Sequence, residues 1–263
     1  MVPTYKERKR QMAKQSYIAL DCEFHWDQEL HEAHRAMDKR SKRRAVAVKK
    51  VMAAAVFQFA IDDEGRISTG EVASWNEYDW GSEEAVVTQL FDYLRAHEDK
   101  PIVTFGGLGT DIPVLLLCSI ANGLRLPPQL ADRPGRRGPR PHLDLGLQIK
   151  GGGKTWSHLS QVLLRMDVPF NLVAAKPSVR RPVSAGAWQN LRDHVELDCL
   201  LLSVAKVGWL VAQGTDCLRL ELAIIGLIEG FLRRRPNHSL SSELRQYADR
   251  LQQQIVDRFE LAA

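Results

Sequence analysis

Two periodicities run along this chain. The apolar run Tyr17–Asp21 predicts a first strand, and it closes in the stretch IALDCEFH, with Asp21 and Glu23 one residue apart. Residues 28–50 are filled with Ala, Met, Lys and Arg, lack Gly and Pro, and predict a basic helix. Residues 51–62 and 66–75 read as two strands joined by the turn Asp63-Glu64-Gly65, a hairpin signal. Ser82 stands where an N-cap belongs. Val86, Val87, Leu90, Phe91 and Leu94 then recur at helical spacing. The wholly apolar PIVTF (101–105) predicts another strand, followed by a helix from about Thr110 to Ala121 that stops at Gly123.

Beyond it, HLDLGLQI (142–149) is compatible with a strand or a short helix, and Ser157 is placed to cap a helix reaching Met166. A long helix is expected from about Ala187 to Ala212, ending at Gly214, with two more over 216–235 and 239–261, the second opening on a serine cap. A strand, a hairpin, and then helices alternating with strands predict an α/β fold: a mixed sheet flanked by helices, with a C-terminal helical appendage.

Composition narrows the class. The 263 residues are 44% hydrophobic, enough for one sizeable core or one core plus an appendage. No stretch approaches the ~20 uninterrupted apolar residues of a membrane span, so no membrane partner is expected. The basic start MVPTYKERKRQMAK is not followed by an apolar signal segment. Cys22, Cys118, Cys199 and Cys217 are scattered in apolar surroundings, with no CxxC pair for zinc. These features predict a reduced, cytoplasmic protein. The net charge of +4 is unevenly spread: residues 5–14, 35–50 and the RPGRRGPRP segment at 133–141 are each strongly basic. Charge runs are ordinarily solvated faces, but three of them beside an acidic site favour a polyanionic partner. Arg43, Arg44, Arg136 and Arg137 are the candidate nucleic-acid contacts.

The acids carry the chemistry. In a strand, Asp21 and Glu23 project to the same face, and two adjacent carboxylates repel unless something positive offsets them. Asp111 opens a helix just past the carboxyl end of the predicted strand at 101–105. Asp198 lies in an otherwise apolar helical stretch, HVELDCLLL, where an uncompensated carboxylate is costly. His194 is four residues earlier, about 40° away around the helix, on the same face. Separately, Asp111 is compatible with a first-turn acid, and His194 with Asp198 with an exposed pair. Four carboxylates converging from distant segments would instead form the ligand set for two hard divalent cations, Mg²⁺ or Mn²⁺. Such a pair stabilises the attacking and leaving oxygens of an in-line phosphoryl displacement. A neighbouring histidine can take a proton from the attacking water or orient it.

The order Asp-x-Glu, Asp, His-x-x-x-Asp resembles the DEDD superfamily of 3′–5′ exonucleases, which share a ribonuclease H-like fold. It is most similar to the predicted exonucleases related to the proofreading domain of family B DNA polymerases. YIALDCEF resembles the first exonuclease motif, IVTFGGLGTDIPVLLLCSIANGL the second, HLDLGLQIKGGGKTWSHLSQVLLRMDVP the segment after it, and HVELDCLLL the third. The match spans roughly residues 17–214, leaving a basic tail at 1–16, a basic helical insertion at about 28–50, and a C-terminal helical extension at 215–263. The resemblance implies metal-dependent 3′–5′ hydrolysis of single-stranded DNA or frayed ends, with Asp21, Glu23, Asp111 and Asp198 as metal ligands and His194 as the general base. Gly106 replaces the family's usual asparagine and Thr110 its aromatic residue, while His194 occupies the spacing normally held by tyrosine.

Two other outcomes are open at this stage: an exoribonuclease with the same site, and a nucleic-acid-binding or assembly subunit with a degenerate one. The C-terminal helices are candidates for a protein partner or a homo-oligomer. Other signals carry less. GGGKT (151–155) lacks the earlier glycine of a phosphate-binding loop and reads as a turn. His31 and His34 read as a solvated helix face, Trp75 and Trp80 as core packing, and Asp144 as a hydrogen-bonding support.

Overall fold

The computed structural model describes residues 15–37, 45–132, 141–174 and 181–262. Its centre is a five-stranded mixed sheet. Strand β1 (Gln15–Trp26) pairs antiparallel with β2 (Lys49–Ile61), which pairs antiparallel with β3 (Ile67–Asn76). On the other side β1 runs parallel to β4 (Ile102–Thr104), and β4 parallel to β5 (His142–Asp144). The spatial order is β3-β2-β1-β4-β5, so β1 is central. The three parallel strands therefore deliver their carboxyl ends to one edge, where an open α/β sheet offers a crevice.

Alternation along β1 and β2 sends side chains to two separate cores, as the period of two requires. Ile18, Leu20, Cys22, Ala54 and Val56 pack against helices α3 (Glu83–Ala96) and α4 (Asp111–Asn122). Tyr17, Ala19, Ala53, Ala55, Phe57 and Phe59 face the long helix α8 (Ala185–Ala212) and α9 (Leu220–Arg234). A helix apolar all round belongs in an interior. In α8 every residue from Asp193 to Val207 is buried, between the sheet, α6 (Leu159–Arg165) and α9. Helix α9 lies directly on β3, with Gly226 against Ile67 and Gly230 against Thr69, and α10 (Ser241–Ala262) packs outside it. No helix among the described residues is long and apolar enough to cross a membrane.

Several elements differ from the sequence expectation. The first strand runs five residues past Asp21, because its ladder with β2 continues to the pair Trp26–Lys49 and holds the polar end extended. The basic helix is shorter than 28–50. Helix α1 covers Gln28–Met37, a 3₁₀ turn covers Val46–Val48, and Lys49 and Lys50 already belong to β2. Arg43, Arg44, Arg136 and Arg137 lie outside the described residues. The cap of α6 is His158 rather than Ser157, its N–H donating to the Gln161 side chain at 2.9 Å. HLDLGLQI is both of its alternatives in turn, β5 and then α5 (Leu145–Lys150). Two one-turn helices, α2 (Glu77–Trp80) and α7 (Phe170–Val173), carry no periodic signal and were not expected.

Candidate metal centre

Asp21 and Glu23 share the face of β1 that looks toward α8. Directly opposite them on β2 are Ala55 and Ala53, so the neighbours on that face are methyl groups that leave the carboxylates room. Just beyond Glu23 the register jumps from Ala53 to Val51, leaving Met52 as an extra residue on β2. A bulge of this kind raises local twist and re-aims side chains, and here it sits beside the acids.

Helix α8 presents His194 and Asp198 to this face. The His194 Nε2 lies 3.1 Å from Glu23 Oε1 and 3.5 Å from Asp198 Oδ2. One potential ligand atom from each of the three residues fits within 4.8 Å of the others. Glu196 and Asp193 are engaged elsewhere. Glu196 accepts from Ser74 Oγ and from Arg235, whose Nε is 2.6 Å away, and Asp193 accepts from Gln189 and from the backbone N–H of Ser239. This network ties α8 to β3 and to the α9–α10 turn, and leaves His194 turned toward β1.

Asp111 arrives from the other core, as the first residue of α4, just past the end of β4. Burial is the main force raising its carboxyl to about 7, with the charges of Glu23 and Asp144 adding and Lys49 opposing. Those interactions place Asp111 within electrostatic reach of Glu23. The loop that delivers it is held from β5. Asp144 accepts the N–H groups of Gly106 at 2.8 Å and Leu108 at 2.9 Å, and also caps α5 through Leu147 at 3.1 Å. Gly106 needs its glycine for a φ of 72°, and a Cβ on Gly107 would strike Thr104. Asp144 thus has the structural hydrogen-bonding role expected of it.

Asp21 stands one strand step before Glu23 and outside the 4.8 Å group. Its charge, with those of Asp111 and Glu23, helps push the buried Cys22 thiol well up, burial being the larger cause. Asp21 and Asp198 act in the same way on Cys199, whose Sγ donates to the Ala55 carbonyl at 3.2 Å. Both thiols are thereby held protonated and out of metal chemistry.

Three neighbours were missed by the sequence reading. Lys49 lies over the rings of Phe24 and Trp26, with Nζ 5.3 and 5.5 Å from their centroids. Burial lowers its proton affinity, while Asp111 and Glu23 counteract the effect. Only the β1–β2 register could have found it, because within a basic run it looks like its neighbours. His25, two residues past Glu23, and Arg181 both contact the buried carboxylate of Glu77, at 3.4 and 3.2 Å. Of the signals set aside, Trp75 packs edge-on to Tyr93 in the second core, whereas Trp80 is exposed. His31 and His34 join no metal-binding group among the described residues.

What these groups can do follows from their kind. Carboxylate oxygens with one imidazole nitrogen suit a hard divalent ion, and a buried carboxyl that holds its proton to about 7 is one that a cation would ionise. No protein-family model matches this chain, and no curated protein matches it. Among solved structures it is similar to the family B DNA polymerase from the hyperthermophilic archaeon Pyrobaculum calidifontis, at 15% sequence identity and a TM-score of 0.45. That likeness covers 84% of this chain and 29% of the polymerase, so the chain spans less than a third of its length.

Proposed function

We propose that this protein is a divalent-metal-dependent 3′–5′ exonuclease acting on single-stranded DNA or frayed ends, on a ribonuclease H-like fold. The observation that carries the reading is the meeting of Glu23, His194 and Asp198, from β1 and α8, in one group within 4.8 Å. The exonuclease unit would span residues 17–214. The extension at 215–263 would close one face of its core through α9.

Asp21, Glu23, Asp111 and Asp198 would hold Mg²⁺ or Mn²⁺, and the chemistry the ions supply is stabilisation of the attacking and leaving oxygens in an in-line displacement. The donor chemistry fits, being hard oxygens: Glu23 and Asp198 meet at His194, Asp21 stands one step back along β1, and Asp111 is within electrostatic reach of Glu23. His194, with Nε2 near Glu23 and Asp198, would take a proton from the attacking water. Lys49, which feels the charges of Asp111 and Glu23, would help a phosphodiester approach so many carboxylates. Asp144 fixes the loop that aims Asp111.

The test is hydrolysis of a 5′-labelled and a 3′-labelled oligonucleotide with Mg²⁺, Mn²⁺ or EDTA. A ladder from the first, early mononucleotide release from the second, and loss of both in EDTA and in Asp198→Asn are expected. A folded wild-type protein that cleaves neither DNA nor RNA with either ion would overturn the reading. Parallel RNA and DNA substrates decide between the deoxyribonuclease and the exoribonuclease.

A further inference from the structure

The glycine-rich turn after α5 is not used by the chemistry above, yet it sits against the loop that delivers Asp111. Gly146, on the first turn of α5, is the contact point. A Cβ there would lie 2.9 Å from the backbone nitrogen of Gly106 and 3.2 Å from Cζ3 of Trp156. The indole of Trp156 is therefore separated from the Gly106 loop by little more than a missing methyl group. It nevertheless remains 44% exposed, and Leu108 of that loop is equally open. The Lys150 ammonium rests 4.7 Å from the indole centroid, and Lys154 is an exposed residue of the same turn. An exposed indole beside the loop that leads to Asp111, with one lysine on its face and a second in the same turn, joins an open ring face to positive charge on one surface.

We propose that Trp156, with Lys150 and Lys154, is a stacking platform for the bases of a single-stranded nucleic acid whose 3′ end enters the acid pocket. This inference rests on the nuclease reading of that pocket. Every base has a π-face, so an exposed indole binds a strand without selecting its sequence, and adjacent lysines meet its phosphates. The lysines also supply the positive charge that a polyanion needs beside Glu23, Asp111 and Asp198. Lys150 already makes a cation–π contact, so a base arriving on the indole keeps that contact or exchanges it for a phosphate.

The experiment is binding of a fluorescein-labelled oligothymidylate by anisotropy, with Ca²⁺ in place of Mg²⁺, alongside hydrolysis in Mg²⁺. Trp156→Ala should weaken binding roughly 10-fold, and Trp156→Phe should stay within about 3-fold of wild type, since a phenyl ring still stacks. An oligonucleotide with abasic 3′-terminal residues should bind wild type and Trp156→Ala alike. Circular dichroism of each variant checks the fold. Equal binding by wild type and Trp156→Ala, with hydrolysis intact, overturns the platform and leaves the nuclease standing. Trp156-dependent binding supports the platform whatever the hydrolysis result, and the nuclease then falls only if DNA and RNA both stay intact in Mg²⁺ and in Mn²⁺. No binding by wild type overturns the platform.

Discussion

Asp111→Asn should make the metal-free protein more stable at pH 8, not less. The wild-type carboxyl is raised from 3.8 to about 7, first by burial and then by the charge of Glu23. That is roughly 3 units, and at about 1.4 kcal/mol per unit it amounts to a burden on the order of 4 kcal/mol once the group is ionised. The sign follows from linkage. Between pH 4 and 7 the folded state binds a proton that the unfolded state has released, so stability falls as pH rises and levels off above 7. The amide introduced by Asp111→Asn cannot ionise, so the variant's curve lacks this descent. Urea unfolding in EDTA at pH steps from 4.5 to 8 measures it: the two proteins should nearly coincide at the acid end and separate by up to ~4 kcal/mol at pH 8. Mn²⁺ should then reverse the order, because binding to the native wild type adds stability that the variant cannot gain in full. Parallel curves over the whole pH range, or equal stabilisation of both proteins by Mn²⁺, would refute the argument that Asp111 is a buried carboxyl awaiting a cation.

Other outcomes are expected. His194→Ala should slow hydrolysis by roughly 100-fold while Mn²⁺ binding by calorimetry persists, and near-normal turnover from pH 6 to 9 would remove the imidazole from the reaction. Glu196→Ala leaves Arg235 and Ser74 without their shared acceptor and should cost about 3 kcal/mol in urea unfolding, with Mn²⁺ binding unchanged; altered Mn²⁺ binding would mean the network is part of the site. Reversing Arg43 with Arg44, or Arg136 with Arg137, should weaken oligonucleotide binding and flatten its salt dependence without changing turnover at saturation, whereas unchanged affinity in both pairs would make these runs plain surface.

The strands and helices with a strong period were legible: the β2–β3 hairpin, α3 with its Ser82 cap, α4 ending at Gly123, and α8. What failed was where pairing, not pattern, decides. Nothing in the letters CEFHW says strand, yet the ladder with β2 keeps β1 extended to Trp26. The same register sets Lys49 opposite Trp26, where it feels the charges of Glu23 and Asp111, so the length of β1 and the place of Lys49 have one cause. Asp198 stood out because a carboxylate in an apolar helix is anomalous by itself, and the structure sets it with His194 and Glu23. Their support was harder to see: Asp144 was legible as a hydrogen-bonder, but that its acceptors would pin the Gly106 loop depends on β5 lying next to β4. His25 and Glu77 are 52 residues apart and carry no joint signal in sequence.

Asp21 and Glu23, two residues apart on one face of β1, pose an electrostatic problem that the rest of the chain answers in three ways. Burial keeps Asp111 neutral up to about 7, which removes one negative charge from the pocket when no cation is bound. His194 stands between Glu23 and Asp198, its Nε2 3.1 and 3.5 Å from their oxygens. Lys49 reaches the same region from β2, its ammonium resting over the rings of Phe24 and Trp26, which leave its charge in place. Each device is weak enough to yield. A proton leaves Asp111 within the neutral range, an imidazole can give up a carboxylate contact to a cation, and a lysine contact is exchangeable. A structural ion-pair network has no use for such lability; the Glu196–Arg235 pair a turn away, with a buried carboxylate held by two nitrogens and a hydroxyl, shows what this same helix builds when it means only to lock. The contrast between the two faces of α8 is the physical case for reading one as a site for exchangeable cations and the other as scaffold.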